Sequence, residues 1–282
     1  MPELPEVETV MRGLEPHLQD HKITTIKTYR KDLRIPFPKD LKQTLESKKI
    51  ISLKRRAKYI LINLEGGVIL SIHLGMSGRI QIIDKSQKYD RQKHDHFEMV
   101  LSNKTRIIYN DPRRFGMIFT LANDDVETHK AFKHLGPEPL GNGFSAEILK
   151  ERLKSKTVSI KQALLDQTVV VGVGNIYACE ALYMAGIHPK KPAGKISLKK
   201  LEELVRCIRE VLSVAIEAGG STLKDYRQAS GELGYFQHQF KVYDREGEVC
   251  NQCASQGRQK ACIKRIVQSG RSTFYCSKTQ KI

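Results

Sequence analysis

The sequence predicts an α+β chain: a helix and a run of short strands in the first half, a helical second half, and a terminal β-hairpin organised by cysteines. Three observations carry this. Apolar residues recur at helical spacing up to about residue 20 and then in short β-rich runs to about residue 120. A Pro/Gly-rich joint, His134-Leu135-Gly136-Pro137-Glu138-Pro139-Leu140-Gly141, separates these runs from helical periodicity. Four of the six cysteines fall after residue 249.

The elements follow in order. Pro5 suits a first helical turn, Glu3, Glu6 and Glu8 suit its positive end, and Val7, Val10, Met11, Leu14 and Leu18 form one stripe. Strands are expected at Ile23–Tyr29, Ile50–Leu53, Tyr59–Leu64, Val68–His73, Arg79–Ile83, His96–Leu101, Thr105–Tyr109 and Met117–Leu121. Glu65-Gly66-Gly67 and Ser102-Asn103-Lys104 supply hairpin turns. Runs at this spacing favour a sandwich or a barrel over a parallel sheet. Helices are expected at Ser145–Lys154, Ile160–Leu165, Asn175–Ala185 and Ser197–Ala218, the last with Leu198, Leu201, Leu204, Val205, Ile208, Val211 and Leu212 on one face. Ala229–Gln237 reads as a loop, and 241–282 as a small hairpin module. The expected division is 1–135, 136–240 and 241–282.

The chain has 282 residues, with 48 Lys+Arg against 31 Asp+Glu, a formal charge of +17. Hydrophobic residues at 40%, with 20 Gly and 10 Pro, exclude collagen-like repeats and low-complexity disorder. The excess charge points to a polyanion, either nucleic acid or an anionic membrane. The most apolar stretch, Thr168–Ile187, is interrupted by Asn175 and Glu180, so no spanning helix is expected. The acidic start, Met-Pro-Glu-Leu-Pro-Glu, is unlike a signal peptide, and the expected compartment is the cytoplasm. No cationic amphipathic helix is evident, which disfavours the membrane.

Several motifs could carry chemistry. With Met1 removed, Pro2 would present a secondary amine with Glu3 and Glu6 close by in sequence. An α-amino group titrates near 8 and a helix start lowers it further, so much of it is free to attack at neutral pH. Its iminium with an aldehyde-level carbon has no N–H to lose and stays a cationic electron sink, as elimination beside a sugar C1′ requires. Pro2 and Pro5 would serve equally as plain helix starters. Lys58 lies in the basic cluster Arg55-Arg56-Ala57-Lys58-Tyr59, which could also be a solvated strand edge. His73-Leu74-Gly75-Met76-Ser77-Gly78 allows a tight turn that presents Met76 as a wedge between bases, unless the methionine is simply core. Asp111-Pro112-Arg113-Arg114-Phe115-Gly116 combines guanidiniums for an orphaned base with a ring to stack on. Gly172-Val173-Gly174-Asn175 precedes a helix, where backbone N–H groups can cradle a phosphate, and the spacing is wrong for a dinucleotide fingerprint. Cys179 and Cys207 read as core residues. Cys250-x2-Cys253, Cys262 and Cys276 read as a zinc signal around a tip at Ser269–Thr273, and residues 241–282 carry nine Lys/Arg against three Asp/Glu.

Taken together, Pro2–Thr9, Arg55–Tyr59, His73–Gly78, Lys93–His96, Asp111–Gly116, Gly172–Ala178 and Gly270–Cys276 resemble bacterial formamidopyrimidine-DNA glycosylase, with matches in order from residue 2 to 276. The resemblance implies an N-terminal helix with an eight-stranded β-sandwich, a helix-two-turn-helix domain and a β-hairpin zinc finger. It implies a bifunctional glycosylase and apurinic/apyrimidinic lyase acting on oxidised purines in double-stranded DNA, as a monomer. By the same resemblance Pro2 attacks C1′, Glu3 is a proton donor, Lys58 serves β-elimination and Arg271 δ-elimination. His73 and Asn175 would contact phosphates, His94 and Arg113 are further DNA-contacting positions, and Met76, Arg113 and Phe115 would fill the hole left by a flipped nucleotide. Lys156 or Lys161 would add a phosphate contact, and the loop Gln228–Tyr235 would close over the flipped base.

One departure stands out. The family pattern ends in a second C-x2-C, but Thr279 occupies the fourth position here, while Cys262 is extra. The expectation is one Zn²⁺ held by Cys250, Cys253, Cys262 and Cys276, the alternative being a hairpin without zinc. Two rival functions are a relative of the endonuclease VIII type preferring oxidised pyrimidines, against which Leu4 and Asp111–Phe115 speak, and a noncatalytic protein that only recognises damaged DNA.

Overall fold

A computed structural model describes residues 2–222 and 233–282, which fall into two compact units: residues up to 133 with 218–235, and 134–217 with 236–282. Most of the expected covering loop, residues 228–232, lies outside the described residues.

In the first unit, helix α1 (Leu4–Leu18) begins at Glu3, whose side chain accepts the Glu6 N–H while the Glu6 side chain accepts the Glu3 N–H. This reciprocal box satisfies two of the donors that a helix start otherwise leaves open. Val7, Val10, Leu14 and Leu18 are buried along one stripe. The strands are β1 (Ile23–Thr28), β2 (Ile50–Arg56), β3 (Tyr59–Leu64), β4 (Val68–His73), β5 (Arg79–Ile83), β6 (Asp95–Leu101), β7 (Arg106–Asn110) and β8 (Met117–Ala122), with a short helix α2 (Leu41–Leu45) after β1. They form two antiparallel four-stranded sheets, ordered β1-β6-β7-β5 and β2-β3-β4-β8. One apolar core contains residues of α1 and of both sheets: Val10 and Leu14 belong to the same cluster as Ile60, Ile62 and Ile72 of one sheet and Ile23, Phe97 and Ile107 of the other. The eight strands and the sandwich are therefore as expected. Strand β2 runs three residues further than its apolar pattern, because Lys54, Arg55 and Arg56 continue the ladder against Leu61, Ile60 and Tyr59. Charged side chains hid this extension.

The second unit contains α3 (Ala146–Leu153), α4 (Ile160–Leu165), α5 (Asn175–Met184), α6 (Leu198–Glu217), the short α7 (Asn251–Ala254) and the hairpin β9 (Ile263–Gln268) with β10 (Arg271–Cys276). Ser145 and Ser159 cap α3 and α4 by accepting the N–H groups of Ile148 and Gln162. Helix α6 buries the expected stripe from Leu201 to Leu212, but its first residue, Leu198, is 41% exposed. The hairpin turns through Ser269 and Gly270, both at positive φ, as a two-residue turn between twisted strands requires.

Candidate functional site

The first unit gathers most of the expected site residues at two places. At the start of α1, Pro2 is buried and directly precedes the cap, and Glu3 and Glu6 are 3% and 2% exposed. Glu6 also accepts the Ser221 N–H at 2.9 Å, so one carboxylate fixes both the helix start and residue 221. The sequence marks Glu6 as a helix-end acid and as a carboxylate near the Pro2 amine, but its bond to residue 221 leaves no local signal, because the partner is 215 positions away. Farther along α1, Glu8 accepts from Arg55 at 2.7 Å, and Arg55 also donates to the Ala57 carbonyl. That pair ties the helix to the tight β2–β3 turn, where Ala57 has φ 52° and Lys58 is 8% exposed. A lysine so placed is held by the fold and is not a solvated edge.

Opposite Tyr59 in the β3–β4 register stands His73. Its Nδ1 accepts the Gly75 N–H at 3.0 Å, which places the proton of a neutral imidazole on Nε2. Burial, with the nearby cations Lys58 and Arg34, pulls its pKa down to about 4, so at neutral pH it is an uncharged N–H donor.

The two turns that carry Met76 and Arg113–Phe115 are locked together by Asp111, which is fully buried. Its carboxylate accepts from the Ser77 hydroxyl at 2.6 Å, the Gly116 N–H at 2.9 Å and the Tyr109 hydroxyl at 3.3 Å. The Arg113 N–H in turn donates to the Ser77 hydroxyl at 3.1 Å. Two glycines permit this closeness. A Cβ on Gly75, at φ 67°, would lie 2.4 Å from the Phe115 carbonyl carbon, and one on Gly116 would lie 1.7 Å from the Tyr109 hydroxyl. Phe115 is left 45% exposed with the Arg113 guanidinium 5.0 Å from its ring centre. The backbone of His94 reaches the same turn, its carbonyl accepting the Asp111 N–H at 3.0 Å.

In the second unit, Gly174 caps α5 and Asn175 is the first helical residue. The Asn175 amide donates to the Ser272 carbonyl at 2.9 Å and to the Tyr243 hydroxyl at 3.3 Å, beside Arg271, while its buried Oδ1 has no hydrogen-bond partner among the described residues. Lys161 is fully buried, and its Nζ donates to the Thr273 hydroxyl at 2.6 Å and to the Ser272 carbonyl at 3.3 Å. Lys156 is paired with Asp166 at 2.8 Å. Arg271 is exposed at the hairpin turn.

Glu180, noted in the sequence only as an interruption of an apolar run, is 1% exposed and accepts three consecutive N–H groups, from Lys241, Val242 and Tyr243, at 2.9, 3.0 and 2.8 Å. Burial raises its pKa against the opposing pull of those donors. By holding Tyr243 it holds a partner of Asn175, and so acts as a positioning residue.

The four tail cysteines are all buried and their sulfur atoms lie within 4.8 Å of one another. Cys253 and Cys276 are 3.7 Å apart, close to the ~3.8 Å between thiolates tetrahedrally bound at ~2.3 Å from zinc. Backbone N–H groups of Cys250 and Lys278 point at the sulfurs of Cys262 and Cys276, which favours thiolates. The cluster can hold one metal ion, and it includes Cys262. Cys179 is packed in the adjoining core and Cys207 is buried in α6.

Comparison with known proteins gives concordant results. The family model for the formamidopyrimidine-DNA glycosylase N-terminal domain matches residues 1–118, and that for the formamidopyrimidine-DNA glycosylase H2TH domain matches 135–227. A curated formamidopyrimidine-DNA glycosylase from Ruegeria pomeroyi is 50% identical over 287 residues, spanning the whole of both chains. A Lactococcus lactis Fpg variant solved with DNA containing Fapy-dG superposes with a TM-score of 0.89 at 34% identity, covering all of each chain. The Lactococcus lactis Fpg complex with abasic-site DNA gives 0.88 at 34% identity, covering 99% of this chain and 100% of that one.

Proposed function

The chain belongs to the formamidopyrimidine-DNA glycosylase family, and from that premise we propose that it excises oxidised purines from double-stranded DNA and cleaves the resulting abasic strand. The observation that carries this reading is the start of α1, where Pro2 abuts a helix cap built from two buried carboxylates, Glu3 and Glu6. The helix end lowers the pKa of an adjacent amine, and burial keeps water from competing with it.

After removal of Met1, the Pro2 nitrogen attacks C1′, the glycosidic bond breaks and the departing base takes a proton, with Glu3 as the acid for base loss and ring opening. The opened sugar is left as an iminium. Loss of a C2′ proton expels the 3′ phosphate, a second elimination expels the 5′ phosphate, and water hydrolyses the iminium to return the amine. Lys58 serves the first elimination and Arg271 the second. His73 donates Nε2–H to a phosphate oxygen as a neutral group. Asn175, His94 and Lys156 are further contacts, the last once released from Asp166.

A base inside a duplex cannot present C1′ to an amine, so the nucleotide must leave the stack at a cost of about a few kcal/mol. Met76, Arg113 and Phe115, held as one unit by Asp111, fill the gap and offset that cost. The four tail cysteines hold one structural Zn²⁺, which fixes the base of the hairpin that presents Arg271; Thr279 supplies no ligand. The protein acts as a cytoplasmic monomer, with 1–135 catalytic, 136–240 binding DNA and 241–282 forming the zinc hairpin.

A panel of duplexes carrying 8-oxoguanine, a formamidopyrimidine or an oxidised pyrimidine tests the substrate assignment. Excision should favour the two purine lesions, and preference for the pyrimidine would assign the endonuclease VIII-type specificity. Zinc content should be near one ion per chain, falling sharply in Cys262→Ser and staying unchanged in Thr279→Ala.

A further inference from the structure

Beneath the thiolate cluster the second unit has a concavity of about 470 Å³ lined by Cys253, Arg258, Gln259, Lys260, Lys278 and Lys281. Four cations and no carboxylate line it. From Val249 to Ile282 the sequence has seven Lys/Arg and no Asp or Glu, so the rim has no acidic neighbour along this stretch of chain. All four cations are exposed, and among the described residues none is in an ion pair.

The backbone under these side chains is fixed. Gln280, 1% exposed, accepts the Cys276 N–H at 2.7 Å and donates to the Ile187 carbonyl at 2.8 Å, which pins the segment carrying Lys278 and Lys281. On the other wall, the Arg258 N–H bonds the Cys253 carbonyl at 3.0 Å after a turn through Gly257 at φ 71°. Clustered cations on a fixed frame repel one another, a standing cost that a bound anion relieves.

One local use for the charge is the metal centre, since zinc with four thiolates is formally about −2. Arg258 serves that use in part, its guanidinium lying 4.0 Å from the Cys253 sulfur. The remaining charge of about −1 is matched by one further cation, which leaves an excess among Lys260, Lys278 and Lys281.

We propose that this concavity is a second phosphate-binding surface, which takes the backbone of the DNA duplex flanking the lesion. The proposal rests on the glycosylase reading for the identity of its polyanion. Strand β10 sets the scale: Cys276 is five residues from Arg271, roughly 17 Å along the strand, or about five base pairs of duplex. The surface therefore contacts phosphates away from the reacting nucleotide and adds affinity without reading the base.

The test is the salt dependence of DNA binding by wild type and Lys260→Ala/Lys278→Ala/Lys281→Ala, with zinc content measured in both. On a long undamaged duplex the slope of log K against log salt should be shallower by about two to three in the variant, near 0.9 for each phosphate that is no longer neutralised. On a lesion duplex trimmed to about four base pairs on each side the two proteins should bind alike. Equal slopes on the long duplex would overturn the proposal, as would loss of zinc from the variant, which would assign the lysines to the thiolates. Failure of wild type to distinguish lesion from undamaged duplex would refute the glycosylase reading instead, and the slopes on undamaged DNA would still decide this one.

Discussion

His73 shows how a single side chain is set by its surroundings. Its folded pKa, about 4, lies below the ordinary 6.5, so the fold prefers the neutral ring while an unfolded chain takes up a proton near 6.5. The resulting stabilisation is fully present above pH 6.5 and is lost as the pH falls from there through 4. Its ceiling is about 3 kcal/mol, lowered by the water contact that a half-buried ring keeps. Urea midpoints measured across that window should fall less steeply for His73→Gln than for wild type; parallel curves would contradict the assignment. Glu180 makes a second prediction. Glu180→Ala leaves three N–H groups, that of Val242 buried and the other two partly buried, without their acceptor and should cost about 2–3 kcal/mol, with Glu180→Gln restoring part of it. DNA affinity should follow the same order if Glu180 acts through Tyr243 and Asn175.

Among the elements, β3 and β4 were legible as short, nearly continuous apolar runs bounded by turn residues, and α6 was legible by its 3.6 period. The end of β2 was not, since Arg55 and Arg56 belong to the strand through backbone pairing, to which hydropathy is blind. The site divides in the same way. Turn glycines and exposed aromatics mark the Met76 and Arg113–Phe115 loops in sequence, but their common anchor, Asp111, looks like any loop acid until three donors are seen to converge on it. The cysteine cluster was legible because thiols are few, whereas Glu180 meets its partners more than 60 positions away. The turn pair gives a prediction at this scale. Gly75→Ala adds a Cβ at positive φ against the Phe115 backbone and should cost more than about 1 kcal/mol. It should also weaken binding to lesion duplexes more than to undamaged ones, which titration of both would show, since on the proposed reading only lesion binding needs the gap filled.

Across the whole molecule, the charge of +17 resolves into separate tasks. Arg55 and Arg106 are spent on Glu8 and Glu98 within the first unit, and Lys161 is sealed inside the second, so net charge overstates what is free for a polyanion. On the proposed readings Lys58 serves the first elimination and the lysines below the thiolate cluster bind the flanking duplex. No described helix is long and apolar enough to cross a membrane. The remaining exposed cations suit the phosphates of a duplex, and binding through them weakens as salt rises. Catalysis as proposed depends first on the Pro2 amine. Borohydride reduction during turnover on an 8-oxoguanine duplex should trap wild type as a covalent protein–DNA adduct and leave Pro2→Gly almost untrapped. Absence of an adduct with wild type, or equal trapping and strand cleavage by Pro2→Gly, would contradict it.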